Sequence, residues 1–177
     1  CRYLPEVSPS SEGSETDPYY YVYDYEGVDV AAAKTTSNYE SYGVLYNLPA
    51  VMTEGICPSG WHIPSDGEWQ TLEILLGMSE SEAASESWRG SPVGDYLKST
   101  SGWNDGGNGS NSSGFTGFPG GFRSNNGFVN DGVFGDWWSS SAAISSLWRR
   151  ELHSYGDDVN RVIYSQGHGF SARCIKD

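Results

Sequence analysis

The chain has 177 residues, a hydrophobic content of 37% and a formal net charge of −13 at pH 7. The length suits one domain over 1–177. The charge disfavours nucleic acid, whose phosphates attract Lys and Arg, and also anionic membrane surfaces. No stretch is long and apolar enough for a transmembrane helix, and no signal peptide is recognisable, so we expect a processed or trimmed chain.

The first third of the chain predicts short elements joined by loops. Residues 5–18 are acidic and Pro-rich and predict a polar N-terminal loop within 1–18, without a drive to pack. The aromatic, β-branched run Tyr19–Tyr25 is typical of a strand. A helical turn is expected around Ala31–Ala33, and Gly43–Tyr46 is an apolar run that we expect to be buried.

Two helix starts follow. Ser65 and Glu68 have the spacing of a capping box, in which each side chain binds the other residue's backbone amide. Gly77 is expected to end this helix. The same pattern at Ser79–Glu82 predicts a second short helix ahead of Trp88. The first helix presents one apolar face, formed by Trp69, Leu72, Leu75 and Leu76.

The later chain predicts a long loop and then strands. Residues 101–114 are almost entirely Gly, Asn and Ser and predict a surface loop. Two helices followed by an antiparallel β-meander predict a loop-rich α+β domain. The predicted strands are Trp137–Ser141, Leu147–His153, Val159–Tyr164 and Phe170–Ile175.

The long loop carries weak calcium candidates. Asn104, Asp105 and Asn108 offer the oxygen ligands that calcium prefers. Calcium usually needs more than one carboxylate, and the spacing is not that of an EF-hand. We therefore favour a flexible polar loop and predict no cofactor.

The three cysteines indicate an oxidising compartment. None forms a CxxC pair, which disfavours a structural zinc site. Our first choice is a disulfide between Cys57 and Cys174, and this implies an extracellular or outer-surface location. Cys1 is then free, bonded to another chain, or acylated as the first residue of a lipoprotein.

A series of motifs then points to a family. The segment Cys57–Trp69 reads CPSGWHIPSDGEW, and the other motifs are YGVLYN at 42–47, LKSTSGW at 97–103, GFTGFPGGFR at 114–123, WWSSS at 137–141 and GFSARC at 169–174. In order and spacing they resemble the Fibrobacter succinogenes major paralogous domain over residues 40–177. The resemblance implies a C-type-lectin-like fold, related to the formylglycine-generating enzymes, and secreted or surface proteins of Bacteroidota and their relatives.

The resemblance also assigns structural roles. Cys57 and Cys174 match structural cysteines of the family, and His62 is expected to be a buried, hydrogen-bonded structural residue. Family members usually begin with a strand that this chain lacks, so the strand was removed or another chain supplies it. The tryptophans expected in the core are Trp61, Trp69, Trp103, Trp138 and Trp148, while Trp88 and Trp137 are left open.

The segment 142–168 predicts a recognition surface. Strand alternation directs Arg149, Glu151 and His153 to one face, while Trp148, Arg150 and Leu152 point to the other. We expect the second set to pack on the fold and the first set to be exposed and variable. The predicted ligand-binding residues are Arg149, Glu151, His153, Tyr155, Asp157, Asn160, Val162 and His168.

The variable positions, which include Ile144, have two explanations. Retroelements that mutate adenines diversify this face in some C-type-lectin-like proteins, and ordinary drift on an exposed face gives similar residues. Glu151 cannot arise from an AAC codon by adenine mutation.

These observations favour a binding module for a protein or glycan at a cell surface, with a role in adhesion. An enzyme is disfavoured, because the chain has no GxSxG motif and lacks the paired catalytic cysteines of the formylglycine-generating enzymes. The alternative is a fibre or appendage subunit, assembled through Cys1 or through an added strand.

Overall fold

A computed structural model describes residues 1–143 and 146–177, and most of its regular structure is β-sheet. The helices are short; the two expected from capping boxes and the turn expected around Ala31–Ala33 are confirmed, and three others were not predicted. In chain order the helices are α1 (Val30–Ala33), α2 (Ser37–Tyr42), α3 (Leu48–Val51), α4 (Asp66–Leu75), α5 (Glu80–Ala84) and α6 (Val93–Leu97). The chain is therefore a mixed α+β domain, as the sequence predicted, with more helical turns than expected.

The strands form one large sheet and one small sheet. They are β1 (Tyr20–Tyr21), β2 (Leu45–Tyr46), β3 (Trp61–His62), β4 (Ser87–Arg89), β5 (Gly120–Ser124), β6 (Gly127–Asp131), β7 (Phe134–Ala143), β8 (Ser146–His153), β9 (Val159–Tyr164), β10 (Phe170–Ser171) and β11 (Ile175–Lys176). The large sheet has the order β1-β2-β10-β7-β8-β9-β4, with β5 pairing β6 and β7. The predicted antiparallel meander is confirmed for three strands, β7-β8-β9. The fourth predicted strand, Phe170–Ile175, is wrong as one strand: it is divided into β10, which pairs β7 in parallel, and β11, which lies in the small sheet. The β5-β6 hairpin and the small β3-β11 sheet were not predicted.

Both predicted capping boxes are confirmed. Ser65 Oγ accepts from the Glu68 amide, and Glu68 Oε2 accepts from the Ser65 amide at 2.8 Å. Ser79 and Glu82 repeat the arrangement at α5. Each box pairs helix-end amides that would otherwise lack partners. Trp88 lies beyond α5, in β4.

Two hydrophobic clusters lie on opposite faces of the large sheet. The neighbouring residues Trp137 and Trp138 point to opposite sides of β7 and enter different clusters. Trp138 packs with Tyr46, Leu147 and Phe170, among others, on one side. On the other side, Trp137 packs in the cluster that includes Trp69, Trp103, Phe115 and Leu152.

Several expectations for buried aromatic residues need correction. Trp61 is 43% exposed, because β3 belongs to the small sheet at the periphery. Trp148 is only half-buried. His62 is hydrogen-bonded as expected, to Asp177 at 2.6 Å and Glu68 at 2.9 Å, but it is not buried.

The N-terminal expectations were also partly wrong. The strand predicted at Tyr19–Tyr25 is only Tyr20–Tyr21, since the chain turns where Tyr25 N binds Val22 O. Residues 5–18 form no helix or strand, yet Val7 is buried, and Ser8 N donates to Tyr20 O at 2.9 Å. This segment therefore packs along β1.

The cysteine pairing is confirmed, with a disulfide between Cys57 and Cys174. Cys1 is a half-buried free thiol, and its Sγ donates to Ile56 O at 3.3 Å. Whether Cys1 is acylated or bonded to another chain remains a prediction. Across residues 1–143 and 146–177, none of the helices has the length and apolar content to cross a membrane.

Candidate binding site

The recognition face predicted on β8 is largely inside the protein. Arg149, Glu151 and His153 are 4%, 8% and 7% exposed, so the expected exposure was wrong. The predicted alternation itself is correct, since these three side chains face the side of β8 opposite to Leu152. Alternation gives the direction of a side chain but not what covers it, and here neighbouring side chains cover both faces.

Arg149 anchors an internal ion cluster. Its guanidinium pairs with Asp136, and its Nη1 lies 2.7 Å from Glu151 Oε2. The same guanidinium lies over the rings of Tyr164 and Phe170, at 4.5 and 4.7 Å from their centroids. Burial lowers the pKa of Arg149, and Glu151 opposes that shift. These contacts stabilise the interior and leave Arg149 little freedom to meet a ligand.

A second ion network occupies the opposite face of the sheet. Arg150 bridges Glu73 at 2.6 Å and Asp66 at 2.8 Å, Arg89 pairs with Glu73, and Arg161 pairs with Asp66. Burial favours a higher pKa for Asp66, but hydrogen bonds from Arg161 and Arg150 lower its pKa to about 2. Asp66 is therefore ionised, and arginines hold both carboxylates, an arrangement suited to structure.

An aromatic group reaches the surface where β8 ends. We call it the Tyr155 cluster, and it consists of Trp88, Phe134, His153 and Tyr155. The His153 ring lies 4.0 Å from that of Trp88 and 4.1 Å from that of Tyr155. Tyr155 packs edge-on against Phe134 yet remains 68% exposed. His153 Nε2 lies 2.7 Å from Asp158 Oδ1, which fixes the base of the cluster.

A polar cleft of about 380 Å³ adjoins the Tyr155 cluster. Its walls come from two chain segments, 105–108 and 154–157, together with Asp95 and Lys98. The structure thus brings the calcium candidates Asp105 and Asn108 together with the predicted ligand-binding residues Tyr155 and Asp157. The sequence treated these two groups as separate sites.

Two contacts hold the walls of the polar cleft in place. The buried Lys98 donates from Nζ to Gly156 O at 2.9 Å and to Asp157 Oδ1 at 3.0 Å. Gly107 lies so close to the Ser154 carbonyl that any Cβ at position 107 would overlap it. The segments 105–108 and 154–157 therefore pack in direct contact.

The calcium candidates have structural partners. Asn108 Oδ1 accepts from Trp103 N at 3.0 Å, and the Asn104 side chain packs on Gly132. Asp105 lines the cleft with a left-handed backbone, at φ 54°. Within the described ranges, no three His, Cys, Asp or Glu residues converge in a way that would hold a metal ion. The loop is held by hydrogen bonds within itself and to Asp95, Tyr96 and Gly132, and its flexibility stays a prediction.

Of the remaining predicted residues, Asn160 is the cross-strand neighbour of Trp88, whereas Val162 and His168 lie further along the meander. Asn160 Nδ2 donates to Glu151 Oε1 at 3.0 Å, and Val162 pairs with Arg149 across the strands. His168 stacks edge-on with Tyr164 at 4.7 Å, near the opposite end of β8. Ile144 lies outside the described residues.

The site contains residues that the sequence did not single out. Phe134 lies opposite His153 in the neighbouring strand β7, and Trp88 reaches the same ring from β4, which flanks the meander. Lys98 lies in the LKSTSGW motif, and a lysine between Leu97 and Ser99 gave no sign of burial. Its partners are more than fifty residues away, and sequence spacing does not indicate such contacts.

Comparison with known proteins identifies the family. The model of the Fibrobacter succinogenes major domain matches residues 2–176, which extends the match beyond the 40–177 expected from motifs. No curated protein and no solved structure is significantly similar to the chain. With nearly the whole chain matched, the protein belongs to the bacterial Fibrobacter succinogenes major domain family.

Proposed function

We propose that the chain is an extracellular or cell-surface binding module whose ligand, a protein or glycan, contacts the Tyr155 cluster and the polar cleft. The observation that carries this proposal is the exposed Tyr155 side chain, supported by the buried His153 beneath it. The Arg149 and Glu151 side chains serve as internal supports. The ligand surface is thus smaller than the face predicted from sequence.

The physical properties of Tyr155 suit recognition. A tyrosine offers a large contact area, has few rotatable bonds, and ends in a hydroxyl that can hydrogen-bond. Here the ring rests against Phe134 and His153, so little further freedom is lost when a ligand binds. Asp105 and Asp157 in the adjoining cleft favour ligands with hydroxyl, amino or guanidinium groups.

The Cys57–Cys174 disulfide supports the proposed location, because such bonds persist mainly in oxidising compartments. A C-type-lectin-like architecture is proposed on the order of elements, with helices first, then a long loop-rich segment, then the meander. A role without catalysis is consistent with the ion-paired state of Asp66 and Glu73, the most buried carboxylates on the α4 side.

The test is a binding screen with matched variants. Wild-type protein, Tyr155→Ala and Asp105→Asn are applied to arrays of bacterial and host glycans and of purified extracellular proteins. Leu75→Ala, which removes another exposed apolar side chain far along α4, is the control. We expect wild type and the control to bind the same ligand and Tyr155→Ala to bind about tenfold more weakly or worse. Equal binding by Tyr155→Ala contradicts this site.

The alternative is a fibre subunit that accepts a strand from another chain. The short edge strand β1 favours it, since unpaired edge groups attract strands. The Ser8–Tyr20 hydrogen bond already occupies part of that edge, so we prefer the binding module. Light scattering distinguishes the two: a monomer at all concentrations contradicts assembly, and concentration-dependent growth supports it.

A further inference from the structure

An apolar cavity of about 170 Å³ lies beside α4, on the side of the large sheet opposite to the Tyr155 cluster. Trp69, Leu72 and Phe115 supply much of its lining, and Arg173 adds one cationic group. An apolar cavity of about 150 Å³ is known to hold one benzene molecule. The space therefore fits a single ring or a branched aliphatic group.

Arg173 is the unusual member of this cavity. Its guanidinium lies 4.1 Å from the centroid of the Phe115 ring. Among the described residues, each of the other six arginines donates to, or pairs with, a carboxylate or a backbone carbonyl, whereas the Arg173 guanidinium has neither. Burial lowers the pKa of Arg173. In a chain of net charge −13, such an unpaired cation stands out.

A second donor in the same lining also lacks a partner. Trp69 is 3% exposed, and within the described ranges its indole N–H has no hydrogen-bond acceptor. Buried donors are normally paired, and an unpaired one costs free energy. The indole N–H is enclosed by the protein, so the Arg173 guanidinium is the donor that a ligand oxygen in the cavity would meet.

Glu68 limits the charge that the cavity can accept. It lies in the lining, but its oxygens are engaged by the Ser65 amide and hydroxyl and by His62 Nε2. It therefore does not serve as the partner of Arg173. A second negative charge on a ligand would meet this carboxylate, so a singly charged ligand fits best.

We propose that this cavity binds a monocarboxylate that carries one apolar group of about the size of a benzene ring. The apolar group fills the space beside Trp69, Leu72 and Phe115, and the carboxylate pairs with Arg173. Two sources share this chemistry: a free aromatic or aliphatic acid, and the C-terminal residue of a peptide. The site is separate from the surface of the proposed function and does not depend on it.

The experiment titrates the intact, disulfide-bonded chain with four probes by calorimetry and NMR shift mapping. The probes are phenylacetate, its uncharged analogue phenylacetamide, a short peptide ending in a free Phe carboxylate, and the same peptide amidated. We expect one or both acids to bind in a saturable way at the Trp69 indole, and each amide to bind about tenfold more weakly or worse. Tighter binding of the peptide acid identifies a chain terminus as the source, and binding of phenylacetate alone identifies a free acid.

Variants of the protein give a second, independent readout. Arg173→Gln should weaken acid binding by about tenfold or more, whereas Arg2→Gln, at an exposed arginine, should not. Leu72→Trp fills the cavity and should abolish binding while Arg173 is retained. Thermal unfolding checks that each variant is folded. The proposal is overturned if neither acid binds, if acid and amide bind equally, or if folded Arg173→Gln and Leu72→Trp bind like wild type.

Discussion

The adjacent arginines Arg149 and Arg150 lie on opposite faces of β8 and therefore pair with different carboxylates. Alternation sends Arg149 into the cluster with Asp136 and Glu151, and sends Arg150 to Asp66 and Glu73. The sequence predicted the two directions correctly. It did not reveal that both sides are covered, because the covering residues come from distant parts of the chain.

Removing Arg150 should strongly destabilise the fold. In Arg150→Met, the buried Glu73 and Asp66 keep fewer cationic partners, and breaking a buried pair typically costs about 3–5 kcal/mol. Denaturant unfolding measures the change in the free energy of unfolding. Arg2→Met, at an exposed position, is the control and should change it by less than about 0.5 kcal/mol. A loss below about 1 kcal/mol for Arg150→Met contradicts the structural role of the network.

His62 gives the fold a dependence on pH. Hydrogen bonds to Asp177 and then to Glu68 raise its pKa above the usual 6.5. A raised pKa in the folded state means that protonated His62 adds stability below the unfolded pKa, and that this stability is lost as pH rises through the folded pKa. We expect His62→Gln to lower Tm relative to wild type at about pH 5.5, and to differ less at about pH 9. A gap of equal size at both pH values argues against the charged pairing.

At the scale of secondary-structure elements, the sequence revealed the features that depend on residues close together in the chain. The capping boxes at Ser65 and Ser79 involve residues three apart, and both were found. The β3-β11 pairing joins His62 to Ile175, and the polar cleft joins 105–108 to 154–157. Such contacts depend on how the whole chain folds, so no short pattern records them.

The two capping boxes provide a matched pair for a test. Ser79→Ala removes the cap of the exposed α5, and we expect it to cost about 0.5–1 kcal/mol. Ser65→Ala should cost more, about 1–2 kcal/mol, since α4 begins with Asp66, the carboxylate that holds Arg150 and Arg161. Denaturant unfolding measures both changes, with the exposed Ser11→Ala as control. Equal losses at Ser65 and Ser79 contradict the coupling of α4 to the ion network.

At the scale of the whole molecule, the disulfide connects two segments that are far apart in the sequence. Cys57 precedes β3 and Cys174 precedes β11, so the bond lies next to the small sheet and closes a loop over 117 positions. That loop contains the meander and both segments of the polar cleft. The motifs around the two cysteines made this pairing predictable, whereas the covering of the meander was not.

Breaking this disulfide should destabilise the entire fold. In a Cys1→Ser background, which prevents exchange with the third thiol, replacing Cys57 and Cys174 by Ser frees a long loop in the unfolded chain. The chain-entropy estimate for a loop of this length gives a loss of about 3–5 kcal/mol. Denaturant unfolding of the variant, and of the Cys1→Ser protein before and after reduction, measures the change. Reduction should reproduce the loss, and Cys1→Ser alone should be close to wild type. If mass mapping of the native protein finds Cys57 and Cys174 as free thiols, the extracellular location loses this support. If the serine variant is as stable as its background, the bond does not stabilise the domain.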